Sequence, residues 1–206
     1  MKNRVIIALF YLIGLTFLSL GISLMIIADL GAGAWDAMYV GLSDKLGLSV
    51  GTWIFIVGIL LILLNGLIMK RIPDFSAIIT IFLIGVFMDV WLLVVFSEFT
   101  SAAIAMRVFM MIAGIVICAI GIASYLQSNF ARNPMDSLMV AIQYRTGKSL
   151  WVSKMSMELT VLVIAFFVSG PIGVGTVLMT ILIGPLIQLF FSPVTRIREK
   201  LCAVQV

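Results

Sequence analysis

Six apolar runs dominate the pattern of the chain: Val5 to Ala28, Thr52 to Met69, Ser76 to Phe96, Ala102 to Leu126, Trp151 to Val168 and Val174 to Phe191. Each is close to the roughly 20 residues that a helix needs to cross a hydrocarbon core of about 30 Å. The first, preceded by Lys2 and Arg4, is too long for a signal-peptide core and has no small-x-small cleavage site after it, so it predicts a retained first span. The expectation is an all-α polytopic membrane protein with six transmembrane helices.

Two of the intervening stretches, 29–51 and 127–150, are too polar to span and too regular to be plain loops. Trp35, Met38, Tyr39, Leu42 and Leu46 fall at i, i+3, i+4, i+7 and i+11, the apolar stripe of an amphipathic helix. Met135, Leu138, Met139 and Ile142 repeat it. Gly31-Ala32-Gly33 breaks the chain before the first stripe, and Asn133-Pro134 gives the second an N-cap with proline at the first helical position. The spacing predicts helices over 34–46 and 134–146, each stopping at a glycine, Gly47 or Gly147. Such helices lie flat at the interface or re-enter the membrane, and the second option requires protein or a wet cavity around the irregular backbone.

The two stretches also belong to an internal repeat. Slid by 100 positions, Gly14, Gly21, Ile22, Asp36, Val40, Gly47 and Ser49 meet Gly114, Gly121, Ile122, Asp136, Val140, Gly147 and Ser149. Asp29 meets Asn129 and Lys45 meets Arg145; with one residue of slippage, Leu83-Ile84-Gly85 meets Leu182-Ile183-Gly184. The division is a first three-helix repeat over 1–100 and a second over 101–206 that ends in a short basic tail. An odd number of spans per copy makes the second enter the membrane from the opposite side. An inverted 3+3 repeat is a design of secondary transporters, with the binding site at the repeat interface; a duplicated bundle without transport has the same signature.

Charge fixes the expected orientation. With both termini cytoplasmic, eleven basic residues fall inside (Lys2, Arg4, Lys70, Arg71, Arg132, Arg145, Lys148, Lys154, Arg196, Arg198 and Lys200) and two, Lys45 and Arg107, outside. The net charge of +4 is therefore a topology signal, and no nucleic-acid partner is expected. Composition agrees with lipid as the solvent: 63% of residues are hydrophobic, 11% are charged, and mean hydropathy is +1.27. The absence of histidine removes His-ligated metals, His proton relays and the Ser-His-Asp triad. Cys118 and Cys202 are too few and too unlike in setting for a disulfide framework. No metal, cofactor or catalytic residue is expected, and the chain does not read as an enzyme.

Candidate functional residues are the few charges near or within the spans. Asp36 and Asp136 are the charged position common to both copies, each three residues after an N-cap position, Gly33 or Asn133. Capping and dipole compensation explain them, and so does contact with a substrate or ion if the helices dip inward. Asn133 joins them as a tentative substrate-binding residue. Glu158 lies about seven residues into the fifth span, roughly 10 Å deep, where a carboxylate faces a cavity or a partner such as Lys154 one turn away. Asp89 and Arg107 are expected to pair across the turn between the third and fourth spans, as a structural or coupling ion pair. Asn65 and Gln188 read as interhelical glue. Gly14, Gly21, Gly114 and Gly121 favour close packing of the first and fourth spans, and Gly170 to Gly175 reads as a tight turn, since it lacks the lysine of a P-loop.

The motifs Gly33-Ala34-Trp35-Asp36-Ala37-Met38, Gly41-Leu42-Ser43, Gly47-Leu48-Ser49-Val50-Gly51 and Asn133-Pro134-Met135-Asp136-Ser137-Leu138 resemble those of the YczE/YyaS/YitT-type bacterial integral membrane proteins, the YczE-like branch in particular. The resemblance covers nearly the whole chain apart from the termini. It implies a bacterial cytoplasmic membrane location and a six-helix architecture, and it supplies no catalytic residues. The copies differ at one motif position, Ala34 against Pro134. Two functions are consistent with this reading. One is a small-molecule secondary transporter or exporter, in the bilayer as a possible homodimer, moving a small metabolite. The other is a non-transporting accessory or regulatory protein that binds a partner or lipid through its amphipathic helix and basic tail.

Overall fold

The computed structural model describes residues 2–99, 103–128 and 130–203, with the side chains of 2, 3 and 203 left aside. Ser101 and Ala102 at the fourth-span boundary, Asn129 of the repeat comparison and the Lys2 side chain counted toward orientation lie outside the described residues. Among those described there are eight helices and no strand: α1 (Lys2–Ala28), α2 (Ala34–Leu46), α3 (Val50–Met69), α4 (Ala77–Asp89), α5 (Ile104–Leu126), α6 (Pro134–Thr146), α7 (Leu150–Phe167) and α8 (Val174–Ala203). A π-helical segment, Val90–Val95, prolongs α4. Among the described residues six helices are long and apolar enough to cross a membrane: α1, α3, α4 with its extension, α5, α7 and α8. Among the described residues, α2 and α6 have the bounds that stripe and cap predict. Gly47 and Gly147, both at positive φ, end them.

The serine after each of these glycines starts the next span. The Ser49 side chain accepts from the Thr52 amide at 3.1 Å at the head of α3, and Ser149 accepts from Val152 at 3.3 Å at the head of α7. This satisfies amides that the membrane would otherwise leave unpaired.

α1 and α5 form the central pair. Their glycines let the two backbones touch: a Cβ at Gly21 would lie 2.6 Å from the Gly114 carbonyl oxygen, and one at Gly114 would lie 2.7 Å from that of Gly21. Around this pair α2 packs on α7, α3 on α6, α4 on α1 and α8 on α5. α3 and α4 also cross closely where Gly51 meets Gly85. The positions aligned with these in the second half are Trp151 and Gly184. There α7 and α8 have no comparable crossing, and a Cβ on Gly184 meets nothing within 4 Å.

Two expectations are corrected. The last span does not stop at Phe191: α8 continues through Pro185 and Pro193 to Ala203. Proline inside a membrane helix is tolerated where neighbouring helices, Ser or Thr side chains or local adjustment satisfy the carbonyls it frees, and the basic end is docked, with Arg198 donating to the Gln127 carbonyl at 2.8 Å and Gln127 donating to Thr195 Oγ1 at 2.6 Å. The tail is thus a helical brace on the end of α5, where a cation complements the helix C-terminus.

Asp89 and Arg107 do not pair. Asp89 Oδ2 accepts from the Ser49 hydroxyl at 2.6 Å and Oδ1 from the Gly51 amide at 2.8 Å, so the carboxylate serves the N-terminus of α3. Arg107 instead caps α1, donating from Nε to the Ala28 carbonyl at 2.7 Å and from its guanidinium to the Asp29 carboxylate at 2.7 Å. The Asp29 side chain is 76% exposed, so the ion pair adds little. Arg107→Gln is expected to cost about 1 kcal/mol, mainly through the Ala28 carbonyl, while Asp29→Asn leaves the thermal midpoint in detergent within a degree or two. Comparison of the two midpoints checks this.

Candidate functional site

All eight helices contribute to the lining of one cavity of about 540 Å³, a size suited to a small organic molecule. Most of its wall is apolar: Leu18 and Ile22 of α1, Ile54 and Leu61 of α3, Ile81 and Ile84 of α4, Ile183 and Ile187 of α8. The carboxylates come from the two short helices and from α7. Asp36, Asp136, Asn133, Glu158 and Lys154, five residues singled out in the sequence, line this cavity together; Asp89 and Arg107 do not.

The local folding that puts them there is distinct for each copy. The loop before α2 is held against the α7–α8 turn, with the Ala32 amide on the Pro171 carbonyl at 3.0 Å and the Gly175 amide on Leu30 at 2.8 Å. Gly170, Gly173 and Gly175 make this possible, because a Cβ at any of them would run into the Ala37, Leu30 or Gly31 backbone. The glycine run is therefore a turn, as expected, and also the seat of α2. The entry to α6 is held by Asn133, whose side chain accepts from the Met135 amide at 3.2 Å. Asn65 of α3 donates to the Pro134 carbonyl at 2.9 Å, which is the interhelical role its position suggested. Gln188 has no such role: it is exposed and its side chain makes no hydrogen bond among the described residues.

The two aspartates sit in different surroundings. Asp136 receives the Tyr125 hydroxyl at 3.0 Å. Asp136 is exposed where it lines the cavity, and desolvation by the surrounding protein still pushes its pKa up; the Tyr125 hydrogen bond and the charges of Lys154 and Arg132 oppose that rise. The Asp36 side chain has neither a hydrogen bond nor an ion pair among the described residues. Burial pushes its carboxyl up to about 7, and the neighbouring charge of Glu158 adds to the effect. Lys154 and Glu158 are not joined in an ion pair.

Trp35 and Tyr39 complete the Asp36 side of the cavity. They are 9% and 1% exposed, and neither the indole N–H nor the phenol oxygen has a hydrogen-bond partner among the described residues. Sequence reasoning assigned both to the packing stripe of α2, because an aromatic ring fills an apolar face whatever its polar tip does. Tyr125, Arg132 and Thr180 also line the cavity without having been singled out. The open side is that of α6, where Arg132, Asp136 and Val140 are exposed, whereas Ala34, Trp35 and Tyr39 on the α2 side are buried. Among the described residues no three ligating side chains gather as a metal site would require.

Comparison with known proteins gives membership without activity. The model of a family described as "Family of unknown function (DUF6198)" matches residues 5–192. The chain is similar to "Uncharacterized protein YyaS" of Bacillus subtilis, at 36% identity over 91% of this chain and 94% of the relative. It is similar to "Uncharacterized membrane protein YczE" of the same organism, at 35% identity over 87% of this chain and 82% of the relative. A protein of Haemophilus influenzae is 26% identical over 90% of this chain and 84% of its own length. No solved structure matches.

Proposed function

The chain belongs to the DUF6198 family, and from that premise and the cavity we propose that it is a non-enzymatic secondary transporter or exporter of a small organic molecule in a bacterial cytoplasmic membrane. The observation that carries the proposal is the meeting of Asp36, Asp136 and Glu158 in one cavity lined by all eight helices. Ionised groups among membrane spans are costly and mark solute or ion pathways. The halves act as an inverted repeat with re-entrant α2 and α6 and cytoplasmic termini. The reciprocal packing of α2 on α7 and α3 on α6 supports that arrangement, and the basic distribution supports the orientation. An opening on the α6 side and closure on the α2 side then correspond to the inward-open state of an alternating-access cycle. The docked basic end of α8 lends less support to an accessory role through a free tail.

Metabolites inside and outside cells carrying the wild type, the Asp36→Asn/Asp136→Asn variant or an empty vector, at matched protein levels, test the proposal. The expected result is a compound redistributed about tenfold by the wild type and by neither control, a loss typical of removing paired charged contacts. Identical profiles in all three would overturn it.

A further inference from the structure

Resting on the reading of the cavity as a substrate site, the geometry points to an organic ammonium ion as its ligand, seated with its charge between Asp36 and Glu158 and its organic part against Trp35 and Tyr39. The charged groups of the cavity number five: the carboxylates of Asp36, Asp136 and Glu158 against Lys154 and Arg132. Lys154 and Arg132 both act on Asp136, which also holds the Tyr125 hydroxyl, and Lys154 acts on Glu158 as well. Asp36 and Glu158 line the same cavity, and neither side chain makes a hydrogen bond or ion pair among the described residues. Three carboxylates against two cations leave the largely apolar chamber one positive charge short when all are ionised, and an entering cation supplies it.

The side chains beside Asp36 fit an organic cation better than a metal ion. Trp35 and Tyr39 present aromatic rings that attract an ammonium group and pack against hydrocarbon. The indole N–H and phenol O–H of these two lining residues are buried without partners among the described residues, and a ligand that carries an acceptor satisfies them once it seats against the rings. The ligand is thus an amine that also carries a hydroxyl, carbonyl or ether oxygen, or a polar ring atom, with an apolar body for the Ile and Leu walls.

Binding to the purified full chain in detergent tests this, with tyramine as the ammonium probe, 4-(2-hydroxyethyl)phenol as its neutral counterpart and 3-(4-hydroxyphenyl)propanoate as its anionic one. Titration calorimetry and the thermal midpoint are the readouts. Tyramine alone is expected to bind and to raise the midpoint, with affinity lowered at least tenfold by Asp36→Asn and severalfold by Tyr39→Phe. Gln188→Ala, at an exposed site outside the cavity, keeps wild-type affinity. Gel filtration shows that each variant is folded before it is titrated. Equal binding of the three probes, unchanged tyramine affinity in Asp36→Asn, or no binding of tyramine overturns the ammonium assignment. Preferential binding of the anion, lost in Arg132→Gln, overturns it too but keeps the cavity as a substrate site. The metabolite comparison decides transport independently of this titration.

Discussion

Gly21→Leu is expected to eliminate folded, monodisperse protein. The position lies at the crossing of α1 and α5, where a Cβ would stand 2.5 Å from the Cys118 amide nitrogen and 2.6 Å from the Gly114 carbonyl oxygen. Both are backbone atoms of a helix and cannot rotate away. The remaining adjustment is separation of the two central helices, which would open the buried contacts of Leu15, Leu18, Ile22 and Ala119 together. Overpacking a core by even a few methylenes costs about 1–3 kcal/mol, and within lipid close helix packing is itself the main source of association. Gly121→Leu, at the reciprocal contact with Leu18 and Gly14, should fail in the same way. Gly184→Leu is the control, since nothing lies within 4 Å of a Cβ there. Fluorescence-detected gel filtration should give a sharp peak for the control and only aggregate for the other two; a sharp peak from Gly21→Leu would mean that the helices do not cross there.

This crossing was legible in the sequence because four glycines recur at a spacing that keeps them on one helical face. The spans and the two short helices were legible for a similar reason: apolar length and stripe period are local properties, and Gly47, Gly147 and the Asn133-Pro134 pair mark the ends. The acidic residues of the cavity could be picked out because charges stand out against an apolar background. Their convergence follows from α2 and α6 meeting the cavity from opposite halves, which is tertiary information. Trp35 and Tyr39 were hidden inside a good packing stripe, since nothing local reveals that a buried N–H or O–H lacks a partner. The length of α8 was not legible because its apolar run stops at Phe191, while the helix continues through the polar and basic residues to Ala203. Choice of partner also resisted local reasoning. Asp89 and Arg107 stand on α4 and α5, which do not pack closely on one another, and each serves the end of a helix that its own helix does pack on, α3 and α1.

The same physics gives Asp89 a large effect on stability. Asp89→Ala removes two charge-assisted hydrogen bonds, from the Ser49 hydroxyl at 2.6 Å and the Gly51 amide at 2.8 Å. Each contributes about 1.5–3 kcal/mol, so a loss of about 3 kcal/mol or more is expected. Asp89→Asn retains an acceptor for Gly51 but not the negative charge at the head of α3, and should fall between the alanine variant and the wild type. Ser49→Ala removes one of the same bonds and also the cap on Thr52. The double variant should therefore lose less than the two single variants together, with a coupling of about 1–3 kcal/mol. Unfolding of the purified protein in mixed detergent measures all four. Strict additivity would mean that Asp89 stabilises the chain without holding α3. Coupling would identify the latch that keeps α3 on α4 at Gly51 and Gly85, and through them keeps Ile54, Leu61, Ile81 and Ile84 in place as one wall of the cavity.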